Sequence, residues 1–186
     1  MSGALRDGWL AFLDHYGDLA ASVGAEMFER WADELKIVKP RLVMAPSVDE
    51  RRATARLGWA LSQPDQLGNA MVLLDELVKQ PYRSTMQDSA IASGAGWARV
   101  PTGSETCAFC LMLASRGGVY HSKQTAGEGK KYHGDCDCTP TLVRGPEDYP
   151  KGYDPDGLYD QYDAARKAAE SGDHKAILSE MRRQST

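Results

Sequence analysis

Cysteine is absent from residues 1–106 and 139–186, so all four cysteines of the 186-residue chain lie in one short stretch. The first sixteen residues contain Arg6, Asp7 and Asp14 and lack the apolar core and cleavage site of a secretory signal peptide. We therefore expect the thiols to remain reduced, because disulfides persist mainly in oxidising compartments. This expectation argues against two disulfides as the use of the four cysteines.

Long apolar runs are also missing from the chain. The best candidate, residues 70–74, is followed at once by Asp75 and Glu76, whereas about eighteen apolar residues are needed to span a bilayer. We therefore expect a soluble protein with no membrane partner. The chain has no excess of basic residues either, and its formal net charge of -4 argues against a general nucleic-acid binder.

Several catalytic signatures are absent as well. A zinc deaminase needs an H-x-E motif ahead of P-C-x-x-C, and neither motif occurs here. No G-x-S-x-G motif is present, and the glycine- and lysine-containing loop at residues 122–131 does not match the P-loop pattern. We therefore expect no enzymatic activity.

The strongest positive signal is the spacing of cysteine and histidine. A C-x2-C pair is followed, after about twenty-five residues, by H-x2-C-x-C, a spacing typical of structural zinc sites. A structural zinc ion takes four protein ligands, and five candidates are present, so the sequence leaves open which four bind. Two disulfides or four unrelated buried thiols are the alternative interpretations. The candidate ligands are Cys107, Cys110, His133, Cys136 and Cys138.

The first half of the chain has the periodicity of amphipathic helices. Residues 5–38 predict one long helix or two, with a bend favoured by Gly17 and Gly24. Ser47 and Glu50 have the spacing of a capping box and predict the start of the next helix. A further helix is predicted from residue 64, interrupted near Pro81.

The character of the sequence changes at the glycine-rich residues 93–96. Residues 97–101 predict a short strand, residues 111–116 a short helix, and residues 119–121 a second short strand. An irregular connector is expected next, and then a helical stretch over residues 158–181 that is weakened near residue 172.

These patterns predict an α+β protein that is mainly α. We expect a helical bundle over residues 1–93, a zinc-binding module with short strands over residues 94–145, and a connector with a C-terminal helix over residues 146–186. Zinc would stabilise the middle module, which has few aliphatic residues, because metal binding can contribute about 10 kcal/mol or more to folding.

The second half resembles the minor head proteins of tailed bacteriophages similar to protein F of phage Mu, including forms found in phages of actinobacteria. The resemblance covers roughly residues 90–145. It is carried by four motifs in order: residues 97–101 (WARVP), residues 105–110 (ETCAFC), residues 116–120 (RGGVY), and His133 with Cys136, Asp137, Cys138 and Pro140.

This resemblance implies a virion component that assembles in the host cytoplasm and resides in the phage head. It implies association with the portal or the major capsid protein, and contact with packaged DNA is possible. In some phages a domain of this kind is associated with the capsid maturation protease, although 186 residues leave little room for a fused protease domain.

Two other functions remain open. A capsid protease would use Ser115 or Ser122 as nucleophile and His121 or His133 as base, without a recognisable catalytic spacing. A zinc-containing nucleic-acid module would use the cysteine clusters together with basic residues, although the acidic residues between 147 and 160 oppose it through repulsion. Those basic residues are Arg51, Arg52, Arg56, Lys130 and Lys131.

Overall fold

We describe the protein from a computed structural model. The structure describes residues 2–46, 48–103, 106–122, 124, 132–134 and 136–184. The chain divides into two compact units, Met1–Ser93 with Tyr132–Asp135, and Gly94–Lys131 with Cys136–Thr186. Helices predominate over a two-stranded antiparallel sheet, which confirms the predicted fold class.

Three helices form most of the first unit: α1 (Gly3–Glu34), α2 (Glu50–Ala60) and α3 (Gln66–Ala92). The cap of α2 differs from the prediction. The Asp49 carboxylate accepts a hydrogen bond from the Arg52 N–H at 2.6 Å, so Asp49 is the capping residue. Ser47, the predicted cap, lies outside the described residues.

α1 is one helix, and Gly17 and Gly24 mark its interface with α3 rather than a bend. A β-carbon at Gly17 would lie 3.5 Å from the Pro81 ring, and one at Gly24 would lie 2.9 Å from the Tyr82 carbonyl oxygen. Glycine therefore allows the two helices to pack closely, and this packing offsets its low helix propensity.

The predicted interruption at Pro81 is wrong, since α3 continues through this residue. Proline removes one backbone N–H and costs about 3 kcal/mol within a helix. Pro81 is buried, and its ring packs against the Gly17 position of α1. Tertiary packing of this kind compensates for a cost that the local sequence alone makes prohibitive.

The apolar core of the first unit lies between its three helices. It is built from side chains of modest size, which the close approach of the helices requires. The buried members are Leu13 of α1, Ala53, Leu57 and Ala60 of α2, and Leu73 and Leu77 of α3.

An extended segment over residues 40–46 packs along α3 through backbone hydrogen bonds. Its N–H groups at Arg41, Val43 and Ala45 donate to hydroxyl oxygens at 2.8, 2.8 and 3.0 Å. These hydroxyls belong to Ser93, Ser89 and Thr85, which are four residues apart. Four residues of a helix rise about 6 Å, so the hydroxyls are about 6 Å apart along one face. Alternate residues of an extended chain have nearly the same repeat, so the segment aligns with the helix.

A short downstream segment also belongs to the first unit. Gln87 Nε2 donates a hydrogen bond to Tyr132 Oη at 2.7 Å, and the Arg83 guanidinium lies 4.2 Å from the centre of the Tyr132 ring. A β-carbon at Gly134 would lie 1.9 Å from Val72 Cγ1, so only glycine fits against α3 here. Residues 132–134 are therefore held on α3 by specific contacts.

Among the elements whose bounds the structure describes, the second unit contains a small sheet and three α-helices. Strand β1 (Gly96–Pro101) pairs antiparallel with β2 (Cys138–Val143), and Pro101 lies opposite Cys138. The helices are α4 (Ala108–Ala114), α5 (Pro155–Ala168) and α6 (His174–Gln184), with a 3-10 turn at Pro146–Asp148.

The first of the two predicted strands is confirmed and the second is wrong. Residues 119–121 make only an isolated bridge, between Tyr120 and Trp97, and the partner strand is β2. Tyr120 stacks on Trp97 with ring centroids 4.5 Å apart, and its hydroxyl donates to the Leu113 carbonyl at 2.9 Å. These aromatic contacts favour a position beside the sheet over a third strand.

The two faces of the sheet bury different residues. Ala98, Val100 and Val143 pack with Tyr149 and Tyr153 on one face. Since side chains alternate along a strand, Trp97, Arg99 and Pro101 point to the other face, together with Cys138 and Pro140 of β2. A separate cluster joins α4 to α5 and α6. None of the described helices is long and apolar enough to cross a membrane.

The glycine at the interface of α1 and α3 gives a stability prediction. Gly24→Ala should lower the free energy of unfolding by about 1 kcal/mol, because the new methyl group would press on the Tyr82 backbone. Gly58→Ala is the matched control, since Gly58 lies on the exposed face of α2 and nothing lies within 4 Å of its β-carbon position. This variant should raise the free energy of unfolding by about 0.5–1 kcal/mol. Urea unfolding of both variants measures the difference, and stabilisation by both would contradict the packing described here.

Candidate metal centre

The first pair of cysteines lies at the start of α4. Cys107 is the N-cap residue, and its Sγ accepts a hydrogen bond from the Cys110 N–H at 3.4 Å. The first N–H groups of a helix have no partner within it, and they favour negative charge at this end. The Sγ atoms of Cys107 and Cys110 lie within 4.8 Å of each other. The start of α4 therefore brings two potential thiolates together.

The second pair lies at the start of β2 and meets the first pair. Cys110 Sγ lies 3.4 Å from Cys136 Sγ, and the Sγ atoms of Cys110, Cys136 and Cys138 are all within 4.8 Å of one another. Tetrahedral ligation at a Zn–S distance of about 2.3 Å separates sulfur atoms by about 3.8 Å. The spacing of this group could therefore hold a metal ion.

Burial distinguishes the four cysteines, all of which are free of disulfides. Cys110, Cys136 and Cys138 are at most 1% exposed, whereas Cys107 is exposed. A buried set of three sulfurs with a fourth at its edge fits a structural site, which is closed by protein ligands. It does not fit the alternative interpretation of four unrelated thiols.

The charges in the cluster favour one thiolate. The pKa of Cys136 lies well below its ordinary value, because hydrogen bonds from the Cys110 and Cys138 thiols, and also the Arg99 charge, stabilise its anion. The pKa of Cys110 lies above its ordinary value, chiefly because of its hydrogen bonds with Cys107 and Cys136. The free cluster therefore shares protons among its sulfurs, and a bound divalent cation would displace them.

Asp137 ties the loops around the cluster together. Its Oδ2 accepts hydrogen bonds from the Gly103 N–H at 3.0 Å and from Thr106 Oγ1 at 2.8 Å. The Thr102 hydroxyl also donates to the Asp137 backbone carbonyl. The Asp137 side chain thus joins the segment before Cys107 to the segment between Cys136 and Cys138. These two segments, the arms of the cluster, are therefore held in fixed directions where they reach the sulfurs.

His133 is the fifth candidate ligand, and it belongs to the segment held on α3 in the first unit. Its Nδ1 lies 2.6 Å from the Gly134 carbonyl oxygen, which can only accept a hydrogen bond. Nδ1 therefore carries the proton and Nε2 carries the lone pair that a metal would need. His133 also stands three residues before Cys136, so the chain keeps it within about 10 Å of that cysteine.

The residues of the competing hypotheses are placed differently. Ser115 Oγ donates to the Met112 carbonyl at 2.8 Å, an ordinary contact at the end of α4, and His121 is exposed. Arg56 makes a two-pronged ion pair with Glu76 at 2.6 and 2.8 Å, so its charge is matched within the fold. Lys130 and Lys131 lie outside the described residues.

Sequence reasoning missed Arg99 and Asp137 as residues of the centre. Arg99 is fully buried, and its Nη2 lies 3.1 Å from Cys136 Sγ and 3.6 Å from Cys110 Sγ. One signal was available, because Arg99 lies two residues after Trp97 in the predicted strand and therefore shares its face. Nothing in the sequence shows that this face meets the cysteines.

Comparison with known proteins places the chain among phage proteins. The gene 15 protein of Mycobacterium phage D29 is 49% identical over 49 residues, which are 26% of this chain and 18% of that protein. The gene 15 protein of Mycobacterium phage L5 is 32% identical over 95 residues, which are 50% of this chain and 30% of that protein.

The matched region covers less than a third of the length of either relative. No solved structure matches the chain. The family described as VG15 protein matches residues 1–165. This range contains α1 to α4, both strands, most of α5 and all five candidate metal ligands. By this match over most of its length, the chain belongs to the VG15 protein family.

Proposed function

We propose that this protein is a structural component of the phage head, a minor head protein that contacts the portal or the major capsid protein during assembly. Membership of a phage family supports this proposal, as does the resemblance of residues 90–145 to Mu F-like minor head proteins. The proposed role is assembly rather than catalysis. The observation that carries it is an unpartnered apolar stripe along α1.

The stripe consists of large side chains on the face of α1 that does not enter the core. Its exposed members recur at steps of three, four and seven residues and remain 41–54% exposed: Leu5, Phe12, Tyr16, Leu19 and Val23. The buried face of the same helix carries small residues at Gly17, Ala21 and Gly24. The buried face also carries Leu13 and Phe28, whereas the five large apolar side chains of the stripe stay exposed, as in a docking face.

The charges exposed on α1 indicate the chemistry of the partner. Five exposed carboxylates of α1 make no ion pair with the described residues, whereas both of its arginines are paired with neighbouring acids. A helix or groove with apolar residues and a basic rim would complement this surface. The five acids are Asp14, Asp18, Glu26, Glu29 and Asp33.

We also propose that the cysteine cluster holds one structural Zn²⁺, bound by four of the five donors Cys107, Cys110, His133, Cys136 and Cys138. The donors fit, because thiolate and imidazole ligands suit zinc and three of the sulfurs already lie within 4.8 Å of one another. Zinc would cross-link the start of α4 to the start of β2. In a unit with small apolar clusters, that link would supply much of the folding free energy.

The metal content follows from this proposal. Protein purified without added metal should contain about one zinc per chain by elemental analysis, and its thiols should react slowly until a chelator removes the metal. Acidification should release the zinc, because protons compete for thiolates. A negligible metal content with four rapidly reacting thiols, or two disulfides by mass spectrometry, would refute the zinc site.

The two units should respond differently to loss of a ligand. Cys107→Ser should expose the chain between residues 94 and 145 to limited proteolysis, while a fragment of residues 1–92 survives, because its core is built from helices. Ser115→Ala serves as the control, since Ser115 makes only a local contact in α4. Complete resistance of the mutant would mean that the thiol is not structural, and degradation throughout would mean that the two units depend on each other.

The stripe gives a binding prediction. Leu19→Glu should reduce co-purification with the cognate portal or major capsid protein at least tenfold, because it places a charge at the centre of the apolar face. Leu67→Glu is the matched control, since Leu67 is 74% exposed on α3, outside the stripe. Equal binding by both variants, with unchanged helical content by circular dichroism, would rule out α1 as the docking face.

A further inference from the structure

Arg99 occupies an unusual position for a charged side chain. It lies in the middle of β1 with no solvent exposure, and it is among the largest fully buried side chains of the protein. Its Nη2 contacts the sulfurs of Cys136 at 3.1 Å and Cys110 at 3.6 Å. One nitrogen thus reaches a cysteine from each arm of the cluster.

Negative charge on the atoms that it contacts stabilises a buried guanidinium. A guanidinium stays protonated inside proteins, and removing it from water costs several kcal/mol unless anions compensate. Neutral thiols would compensate poorly, whereas metal-bound thiolates keep their negative charge over a wide pH range. The two contacts to sulfur therefore match Arg99 with a metal-thiolate centre.

The charge of the proposed centre leads to the same conclusion. Four thiolates around Zn²⁺ carry two net negative charges, and three thiolates with one imidazole carry one. Three of the five donors, Cys110, Cys136 and Cys138, are buried, and uncompensated charge is costly there. One adjacent guanidinium reduces the magnitude of the net negative charge in both cases.

We propose that Arg99 is a positioning residue of the metal centre. It donates N–H···S hydrogen bonds to the Cys136 and Cys110 thiolates, offsets their charge and holds the two arms at ligating distance. This inference rests on the proposed zinc site and adds to it a residue that is not itself a ligand. Partners of this kind commonly affect metal affinity by 10–100-fold.

The register of the sheet places Arg99 beside the cysteine cluster. Arg99 lies opposite Pro140, and Pro101 lies opposite Cys138, so Arg99 and Cys138 point to the same face of the paired strands. Pairing of β1 with β2 therefore fixes the guanidinium beside the cluster. A shift of one residue would turn Arg99 to the face that packs on Tyr149 and Tyr153.

Metal affinity tests the inference. In competition with a chromophoric chelator, Arg99→Met should bind zinc about 10–100-fold more weakly than the unmodified protein. Arg99→Lys, which keeps the charge but lacks the planar fork, should lose about tenfold. Arg144→Met is the matched control, because Arg144 pairs with the Asp148 carboxylate at 2.9 Å, and its zinc affinity should not change.

A spectroscopic measurement separates positioning from general stability. In the Co²⁺-substituted protein, both Arg99 variants should shift the sulfur-to-cobalt charge-transfer bands, because the thiolates lose a hydrogen-bond donor, whereas Arg144→Met should leave the bands unchanged. If Arg99→Met does not fold, the affinity and spectrum of Arg99→Lys decide the question.

The possible failures are distinguishable. Zinc affinity and cobalt bands identical to those of the unmodified protein in the folded Arg99 variants would overturn the role of Arg99 and leave the zinc site intact. Absence of zinc and cobalt binding by the unmodified protein would overturn both proposals.

Discussion

The convergence of sulfur atoms at one buried point is the constraint on which the second unit depends. Cys110 from α4 and Cys136 from the arm preceding β2 are 3.4 Å apart, and Arg99 from β1 contacts both. Buried polar and charged groups are costly unless each has a partner. Helix start, strand register and loop path must therefore all be correct together, which gives a small unit a defined structure.

The first unit is organised by a different interaction, the close packing of α1 on α3. Gly17 and Gly24 allow this approach, and the resulting contacts compensate for Pro81 within α3. Leu13 and Phe28 share the buried face of α1 with these glycines, while other bulky residues such as Leu19 and Val23 remain about half exposed. Internal packing of this unit and its exposed apolar stripe are thus two consequences of one arrangement of side chains.

The cysteine motif shows how local pattern and tertiary structure divide the information. The spacing of Cys107 and Cys110 already predicts two ligands at a helix start, because the residues of C-x2-C turn toward one point. The role of Arg99 depends on a strand register between residues about forty positions apart in sequence. No local pattern specifies such a pairing, so the sequence indicated the candidate ligands but not the buried arginine that contacts two of them.

The sequence by itself determined the helical first half, the strand at β1, the presence of a short helix at α4, and the cysteine and histidine residues available to a metal. These features follow from periodicity, capping and spacing, which act over a few residues. Tertiary structure alone decided that α3 continues through Pro81, that β2 rather than residues 119–121 pairs with β1, and that Gly17 and Gly24 of α1 lie against α3. In each case, contacts between distant segments compensate for a local cost. Such contacts exist only once the chain has folded, so the local sequence does not show them.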